Sequence, residues 1–333
     1  MLQPTPSGGP NDTASRRGPG GLVAAPRSRF DVTVPPAGYH WWYLDGVSAC
    51  GRYGLTVIAF IGSVFSPYYA WSGRKLPLNH CAMNVVLYGA SGHRWAMTER
   101  SARSVRQSET ALTIGPSAIH WDGDDLVVTV DEWTVPIPSR LRGTIRLSPI
   151  TRPGTVFALD DGDRHGWWPV APTARIAVDF TAPALRWEGS GYHDVNAGSE
   201  PLEDGFRMWD WSQADLPNGD GTVILYNAEC RRGGALSLAL LIGADGGVEP
   251  LPPPERVSLP RSSWQVVRQT RSEDPQSTRV VATWEDSPFY TRSRVQQTLL
   301  GHTVTAMHES LMLDRFANPI IRMMLPFRMP RLG

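Results

Sequence analysis

The pattern of apolar and polar positions along this chain is mostly that of β-strands. Residues 126–133 (LVVTVDEW) alternate between apolar and polar side chains, as in a strand with one buried face. Similar runs, rich in β-branched and aromatic residues and bounded by Gly, Pro or Asp, lie at residues 54–65, 81–88, 108–115, 119–121 and 140–147. A helical period is confined to two short stretches, residues 67–71 and 314–324. The pattern therefore predicts an all-β protein with few short helices.

A second series of strand-like runs follows, so the two halves of the chain have the same organisation. These runs lie at residues 174–180, 185–188, 205–212, 221–229, 235–244, 263–269, 279–284 and 304–313. Each half holds enough antiparallel strands to close, or nearly close, a barrel. We place the boundary near residue 172, after a polar loop at residues 159–164, and predict β-barrel domains at residues 31–172 and 173–333.

The beginning of the chain and its longest apolar stretch bear on where the protein acts. Residues 1–30 are rich in Pro, Gly and Ser and lack the continuous apolar region of a signal peptide, so we expect a disordered leader. Residues 55–65 form an apolar stretch about half as long as the ~20 residues that span a bilayer. The three cysteines are isolated from one another, which favours a reducing compartment. We therefore expect a cytoplasmic protein without a transmembrane helix.

Composition and missing motifs remove several classes of function. The 32 basic and 32 acidic residues balance, so nucleic acid is not an expected partner. Lys75 is the single lysine and is followed by Leu76, which excludes a Walker A loop. Serine hydrolase, dinucleotide-binding and zincin motifs are absent, and the eight histidines lack metal-ligand spacing, so no metal site is expected. The 13 tryptophans, beside 32 glycines and 29 prolines, indicate a turn-rich β protein with an aromatic interior.

The first of three clusters of aromatic, histidine and acidic residues lies at residues 38–45 (GYHWWYLD). Strand alternation would place His40 and Trp42 on one face. The side chains of Trp41, Tyr43 and Asp45 would then lie on the other face. This cluster either plugs a barrel around a satisfied histidine or lines a site.

Two further clusters lie on either side of the predicted boundary. Residues 164–169 (RHGWWP) contain Gly166 and Pro169, which break regular structure and predict a loop that carries functional side chains. Residues 189–202 (GSGYHDVNAGSEPL) hold a Tyr-His-Asp triplet flanked by glycines, followed by MWDWS at residues 208–212. The triplet either belongs to a site or forms an Asx-type turn, with Asp194 or Asn196 capping backbone amides.

Nine sequence blocks, from about residue 30 to the end of the chain, carry a family resemblance. They are HWWYLD (40–45), LTVIAFIGSVFSPYYAW (55–71), PLNHCAM (77–83), RWAMTE (94–99), HGWWP (165–169), YHDVNAGSEPL (192–202), WDWS (209–212), PFYTRS (288–293) and MHESLMLDRF (307–316). In these blocks the chain resembles the carotenoid 1,2-hydratase family, also called hydroxyneurosporene synthase.

The resemblance implies a fold of two lipocalin-like β-barrel domains in tandem. It implies addition of water across the terminal C1–C2 double bond of an acyclic carotene such as neurosporene or lycopene, giving a 1-hydroxy carotenoid without a cofactor. The residues implicated in activity correspond to Asp194, Tyr192, His165 and Trp167. Related proteins promote cyclisations, so a lyase or cyclase acting on another terpenoid is an alternative, as is a lipocalin-like carrier of a lipid or isoprenoid.

The chemistry of hydration assigns tasks to these side chains. An isolated alkene is a weak base, so the reaction must begin with protonation of C2 and pass through a tertiary cation at C1. Burial among aromatic rings would raise the pKa of Asp194 and keep it protonated as a general acid, assisted by His165 or His193. Aromatic faces would stabilise the cation in a slot near the inter-domain region. The expected substrate-binding residues are His40, Trp42, Trp168, His193, Trp209, Asp210, Trp211 and Tyr226.

The C-terminal segment offers a candidate membrane contact. Residues 315–328 (RFANPIIRMMLPFR) mix apolar and Arg residues, as segments at a headgroup interface do. Alternatively, this segment packs on the barrel. Because a carotene dissolves in the bilayer, we expect peripheral contact with the inner or intracytoplasmic membrane.

Overall fold

The computed structural model describes residues 27–89 and 92–332. Most of the predicted disordered leader, residues 1–26, lies outside the described residues. The end of that leader is packed into the protein: Phe30 is buried, and the Ser28 carbonyl accepts a hydrogen bond from Trp121 Nε1 at 2.8 Å. Residues 28–30, which the prediction assigned to the leader, therefore pack against the rest of the protein.

The secondary structure is mostly β, with few short helices, as predicted. The strands in chain order are β1 (Tyr39–Ser48), β2 (Gly54–Ile61), β3 (Cys81–Tyr88), β4 (Arg94–Arg100), β5 (Val105–Gln107), β6 (Ala111–Ile114), β7 (Ser117–Asp122), β8 (Asp125–Trp133), β9 (Arg140–Pro149), β10 (Phe157–Ala158), β11 (His165–Ala182), β12 (Ala184–Gly198), β13 (Phe206–Asp215), β14 (Thr222–Cys230), β15 (Ala235–Ile242), β16 (Val248–Pro250), β17 (Glu255–Leu259), β18 (Arg268–Ser272), β19 (Arg279–Asp286), β20 (Tyr290–Leu299), β21 (His302–Met312) and β22 (Arg331–Leu332). The helices are α1 (Pro67–Trp71), α2 (Leu202–Gly205), α3 (Leu313–Phe316) and α4 (Pro319–Met324).

The first sheet curls into a half-barrel. Its strands follow the order β22-β4-β3-β2-β1-β12-β11-β9-β8-β7-β6-β5, with β10 beside β11. Alternation along β1 and β2 sends Trp42, Leu44, Leu55 and Val57 into the apolar interior of the curl. Across this interior, Arg100 of β4 forms a buried ion pair with Glu132 of β8 at 2.7 Å.

The second sheet is smaller and covers the outer face of the half-barrel. Its order is β16-β15-β14-β13-β21-β20-β19, and the hairpin β17–β18 packs on its far side. Between the two sheets lies a second core, which is rich in aromatic residues such as Trp41, Tyr192, Trp209 and Tyr226. The candidate site lies in this inter-sheet core.

The path of the chain between the sheets differs from two barrels in tandem. Residue 172 lies inside β11, and β12 pairs with both β11 and β1, so the chain reaches the second sheet only after Gly198. At the other end, β22 returns to the first sheet beside β4, and Arg331 pairs there with buried Glu99. Among the described residues the terminal strands β22 and β5 do not pair, so tandem closed barrels are not observed. The division at residue 172 stays a prediction about independent folding.

Within residues 27–89 and 92–332, none of the helices combines the length and apolar character needed to cross a bilayer.

Candidate functional site

Two of the sequence clusters, HGWWP and GYHD, lie side by side on the hairpin formed by β11 and β12. Residues 165–169 and the triplet are strand, so the prediction of a loop is wrong for residues 165–169, and of the two alternatives for the triplet the Asx-type turn is excluded. The β11–β12 register shifts between Trp168 and Ala171, which forms a bulge at Pro169. Because residues in a bulge are not paired in the ladder, the backbone N–H that proline lacks is not needed there. Trp167, Tyr192 and Asp194 all project from this hairpin into the inter-sheet core.

Asp194 has one engaged carboxyl oxygen and one free oxygen. Its Oδ2 accepts hydrogen bonds from Trp167 Nε1 and Tyr192 Oη, both at 2.8 Å. Its Oδ1 is buried and has no hydrogen-bond partner among the described residues. Because Oδ2 already accepts two donors, a proton on this carboxyl belongs on Oδ1.

The surroundings of Asp194 favour its neutral form. The side chain is nearly inaccessible, and burial raises the pKa of Asp194 to about 7 against the opposing effect of the two hydrogen bonds. The nearby negative charges of Glu309 and Asp45 raise this pKa further. Asp194 is thus a carboxylic acid that retains its proton up to neutral pH.

Aromatic rings from both sheets enclose this acid. Trp167 contacts Tyr226 of β14 with ring centroids 5.4 Å apart, and Tyr192 contacts Trp211 of β13 at 5.0 Å. Trp209 joins the group through Tyr226 at 6.0 Å. Three predicted substrate-binding residues, Trp209, Trp211 and Tyr226, therefore share one aromatic environment with the predicted catalytic ones.

His165 lies on the same face of β11 as Trp167 but has different partners. Its Nδ1 is 2.9 Å from Tyr39 Oη, and its Nε2 is 3.3 Å from Glu200 Oε1. Burial lowers the pKa of His165, which favours the neutral imidazole. The ring packs on Phe206 at 4.7 Å. No hydrogen bond links His165 to Asp194 within the described part of the chain. Through Phe206, which also contacts Trp209, His165 lies at the edge of the aromatic core.

His193 points away from Asp194, because consecutive strand residues face opposite sides. It lies inside the half-barrel, where Nε2 is 3.1 Å from Ser28 Oγ and Nδ1 is 2.8 Å from the Tyr43 carbonyl. Burial lowers the pKa of His193 to about 4. Of the two histidines considered as partners of the acid, only His165 shares its face.

Four other predicted substrate-binding residues also lie away from the inter-sheet core. His40 and Trp42 contact each other at 4.4 Å on the half-barrel side of β1, as the alternation predicted. Trp168 packs on the same side and donates a hydrogen bond to the Pro153 carbonyl at 2.9 Å. Asp210 faces the β17–β18 hairpin, where it accepts from the Gln269 backbone at 3.3 Å and from Ser310.

Sequence reasoning missed a buried polar cluster beside the acid, which we call the Arg292 cluster: Arg292, Asp45, Tyr43 and Glu309. Arg292 is fully buried, lies 2.5 Å from Asp45 Oδ2, donates from Nη1 to Tyr43 Oη at 2.6 Å and pairs with Glu309. Tyr43 donates to Glu309 at 2.7 Å. Alternation predicted that Tyr43 and Asp45 share a face, but no local signal connects them to Arg292 and Glu309.

Neither a metal-binding group nor the surface cavity described next coincides with the surroundings of Asp194 in the described residues. Within the described ranges, no group of three or more His, Cys, Asp or Glu residues is arranged to hold a metal ion. A surface cavity of about 610 Å³ is lined by charged residues, among them Arg74, Glu203 and Arg322. Its lining includes none of the residues that contact Asp194.

Comparison with known proteins places the chain among characterised relatives. A family model described as carotenoid hydratase CrtC matches residues 57–333. A protein of Thiocapsa roseopersicina named acyclic carotenoid 1,2-hydratase is 54% identical over 95% of this chain and 78% of its own length. A protein of the same name from Rubrivivax gelatinosus is 47% identical over 91% of this chain and 76% of its own length.

Solved structures support the fold at much lower identity. An AttH protein of Nitrosomonas europaea is 15% identical with a TM-score of 0.55, covering 82% of this chain and 92% of that one. Kievitone hydratase from Nectria haematococca is 10% identical with a TM-score of 0.53, covering 88% of this chain and 97% of that one. The fold is thus shared with these proteins, and by its sequence the chain belongs to the carotenoid hydratase CrtC family.

Proposed function

We propose that this protein adds water across the terminal C1–C2 double bond of an acyclic carotene such as neurosporene or lycopene, giving a 1-hydroxy carotenoid. The observation that carries the proposal is Asp194, a buried acid set among aromatic rings, whose pKa is raised to about 7 and whose Oδ1 has no partner within the described chain. An apolar alkene cannot form a hydrogen bond with the acid that protonates it. The acid must therefore present a protonated oxygen that is not occupied by another partner.

The reaction follows from this geometry in two steps. In the first, the C1–C2 π electrons form a bond to the proton on Asp194 Oδ1, the O–H bond breaks, and a tertiary cation remains at C1. Trp167 and Tyr192 hold the resulting carboxylate through Oδ2. In the second, a water lone pair forms the C1–O bond, an O–H bond of that water breaks, and the released proton restores the one that Asp194 gave up. The net change is addition of one water, with no cofactor consumed.

The aromatic rings around Asp194 suit the cationic intermediate. A ring face attracts a cation with roughly 0.5–2 kcal/mol and does not trap it covalently. Trp167 contacts Tyr226, Tyr192 contacts Trp211, and both pairs belong to the inter-sheet core. Their buried faces offer this stabilisation without water that would quench the cation early.

A row of rings continues from this site towards the C-terminal helices and supports a path for the polyene. From Tyr226 it passes through Trp209, Trp41, Phe60 and Phe65 to Phe316 of α3, with successive centroids 5.7–6.4 Å apart. Trp167 is fully buried, so the two sheets must separate locally to admit a substrate. An apolar chain between the sheets would replace ring-to-ring contacts with ring-to-polyene contacts.

We also propose that the surface at the end of this row rests on the membrane. Ile320, Met323 and Phe327 are each exposed by 67% or more. Trp71 and Leu76 are exposed in the neighbouring segment, which the C-terminal segment approaches through the stacking of Arg331 on Tyr68. Exposed apolar side chains interspersed with arginines are typical of segments that lie at a headgroup interface. A carotene leaving the bilayer here would meet the ring row directly.

The test is incubation of the purified protein with lycopene and no added cofactor. A product heavier by one water supports the proposal. Asp194→Asn keeps the shape but lacks the transferable proton, so it should lose product by at least ~100-fold while retaining lycopene binding. Turnover by this variant at the normal rate would contradict the assignment of the acid. Binding without product in the unaltered protein would indicate a carrier, and a product of unchanged mass would indicate a cyclase.

A further inference from the structure

The chain carries two Tyr-x-Asp motifs that face each other across one antiparallel ladder. Tyr43-Leu44-Asp45 lies on β1 and Tyr192-His193-Asp194 on β12. In the register, Tyr43 is opposite Asp194, Leu44 opposite His193, and Asp45 opposite Tyr192. A local two-fold axis through the central pair therefore relates the two motifs. All four outer side chains project into the inter-sheet core, where Tyr43 contacts Tyr192 at 6.0 Å.

The two tyrosines lie in corresponding places across this axis. Tyr192 Oη donates to Asp194 Oδ2 at 2.8 Å, whereas Tyr43 Oη lies 3.4 Å from Asp45 Oδ2 and donates to the nearer Glu309 at 2.7 Å. Both carboxylates are buried, and in each the other oxygen, Oδ1, lacks a hydrogen-bond partner among the described residues. A buried carboxylate oxygen without a partner is costly, so two of them on one face call for a polar ligand between them.

The two acids differ in the other group that each one contacts. Asp194 receives the neutral indole N–H of Trp167, whereas Asp45 forms an ion pair with the buried guanidinium of Arg292 at 2.5 Å. Asp45 thereby has a cationic partner, whereas the two hydrogen-bond donors of Asp194 are neutral. Two carboxyl groups whose surroundings separate them in this way supply an acid and a base to one reaction.

Hydration also requires a base that accepts a proton from the attacking water. Water attacking C1 must lose a proton, and a base beside it makes capture faster than return of the cation to an alkene. Asp45 and Asp194 are diagonal neighbours on adjacent strands, whose Cα atoms lie about 7–8 Å apart in such ladders. A spacing of this size is compatible with one water molecule bridging the two carboxyl groups.

Resting on the proposed hydration, we propose that Asp45 is a second catalytic residue, which binds the nucleophilic water through Oδ1 and takes its proton. The water oxygen forms the C1–O bond, its O–H bond breaks, and the proton passes to Asp45 Oδ1. That proton then moves to Asp194 Oδ1, directly or through the next water, so that each cycle consumes one water and no other reactant.

The experiment separates protonation of the alkene from capture of the cation. In heavy water, Asp194 delivers deuterium to C2; a cation that is not captured loses a proton from C2 or a methyl carbon and returns as a deuterium-labelled alkene. Asp45→Asn should lower 1-hydroxy product by at least ~100-fold while label still enters recovered lycopene. Asp194→Asn should lose both signals. Glu132→Gln, which alters another buried carboxylate paired with an arginine, should keep the normal ratio of product to label.

Each outcome decides the inference separately from the proposed function. Absence of hydration in the unaltered protein would refute the function itself. Normal hydration by Asp45→Asn, or equal loss of product and label in a folded Asp45→Asn protein, would overturn the role of Asp45 as base. If Asp45→Asn does not fold, Asp45→Glu keeps the charge but displaces the oxygen by one methylene. We expect a lowered ratio of product to label, and an unchanged ratio would overturn the inference.

Discussion

At the scale of single residues, the burial of Asp194, opposed by the hydrogen bonds to its Oδ2, would set the pH range of the proposed hydration. The acid must be protonated to act, and its pKa is raised to about 7. Hydration should therefore fall as pH rises through about 7. The hydrogen bond from Tyr192 stabilises the carboxylate and so opposes the rise in pKa.

Replacing Tyr192 by Phe should therefore move the falling limb of the pH–rate profile to higher pH. The profile of hydration rate against pH measures this directly. Tyr69→Phe is the matched control, since Tyr69 is equally buried but donates to the Gly38 carbonyl. A limb that stays in place in Tyr192→Phe would show that Tyr192 does not hold the carboxylate of the acting acid.

Residue patterns in the sequence predicted part of this environment. Alternation along β1 correctly divided His40 and Trp42 from Tyr43 and Asp45, because side-chain direction follows from strand geometry alone. The role proposed for Asp45 does not emerge from the sequence, since its partner Arg292 lies on a strand more than 200 residues away. Local patterns indicate which side chains share a face but not what covers that face.

At the scale of elements, the glycines around the Tyr-His-Asp triplet serve a strand rather than a turn. A Cβ at Gly189 would lie 1.9 Å from the Val47 carbonyl oxygen, and one at Gly191 would lie 3.0 Å from Ile176 Cβ. These glycines let β12 approach β1 and β11 closely. From sequence alone, glycines that permit close approach look like glycines that turn the chain.

Gly189→Ala should accordingly destabilise the protein. The obstructing atoms belong to backbone, which cannot move aside cheaply, so we expect a loss of about 1–3 kcal/mol in the free energy of unfolding. Denaturant titration measures this loss. Gly234→Ala is the control, because a Cβ there meets no atom within 4 Å, and its effect should stay within about 0.5 kcal/mol. Equal stability of the two variants would contradict the close approach of β12 to β1.

At the scale of the whole molecule, the β content was predictable, whereas the arrangement of the strands was not. Each half of the chain has the local pattern of a barrel, but β1 closes on β12, about 150 residues later, and the second sheet stays separate. Pairing between distant strands depends on which apolar faces bury each other, and a period of two is the same for every strand. The aromatic inter-sheet core is what distinguishes this arrangement, and several tryptophans line it.

The exposed apolar surface near the C-terminus should determine how strongly the protein binds lipid vesicles. Replacing Ile320, Met323 and Phe327 together by Ser should weaken flotation with lipid vesicles, because less apolar area enters the headgroup region. Ile150→Ser with Val281→Ser is the control, since both residues are exposed outside this segment. Unchanged flotation of the triple variant would remove the segment from the membrane contact.

The long β11–β12 hairpin also determines how the protein can be divided. It forms part of the wall of the half-barrel and at the same time carries Asp194. A nick at residue 172 would sever β11 in mid-strand and leave both fragments with an incomplete sheet. A nick between Ser199 and Glu200 would instead leave each fragment a whole sheet apart from β22, with the aromatic inter-sheet core as a ready interface for complementation. The natural unit for circular permutation or split reporters is therefore the sheet, not the sequence half.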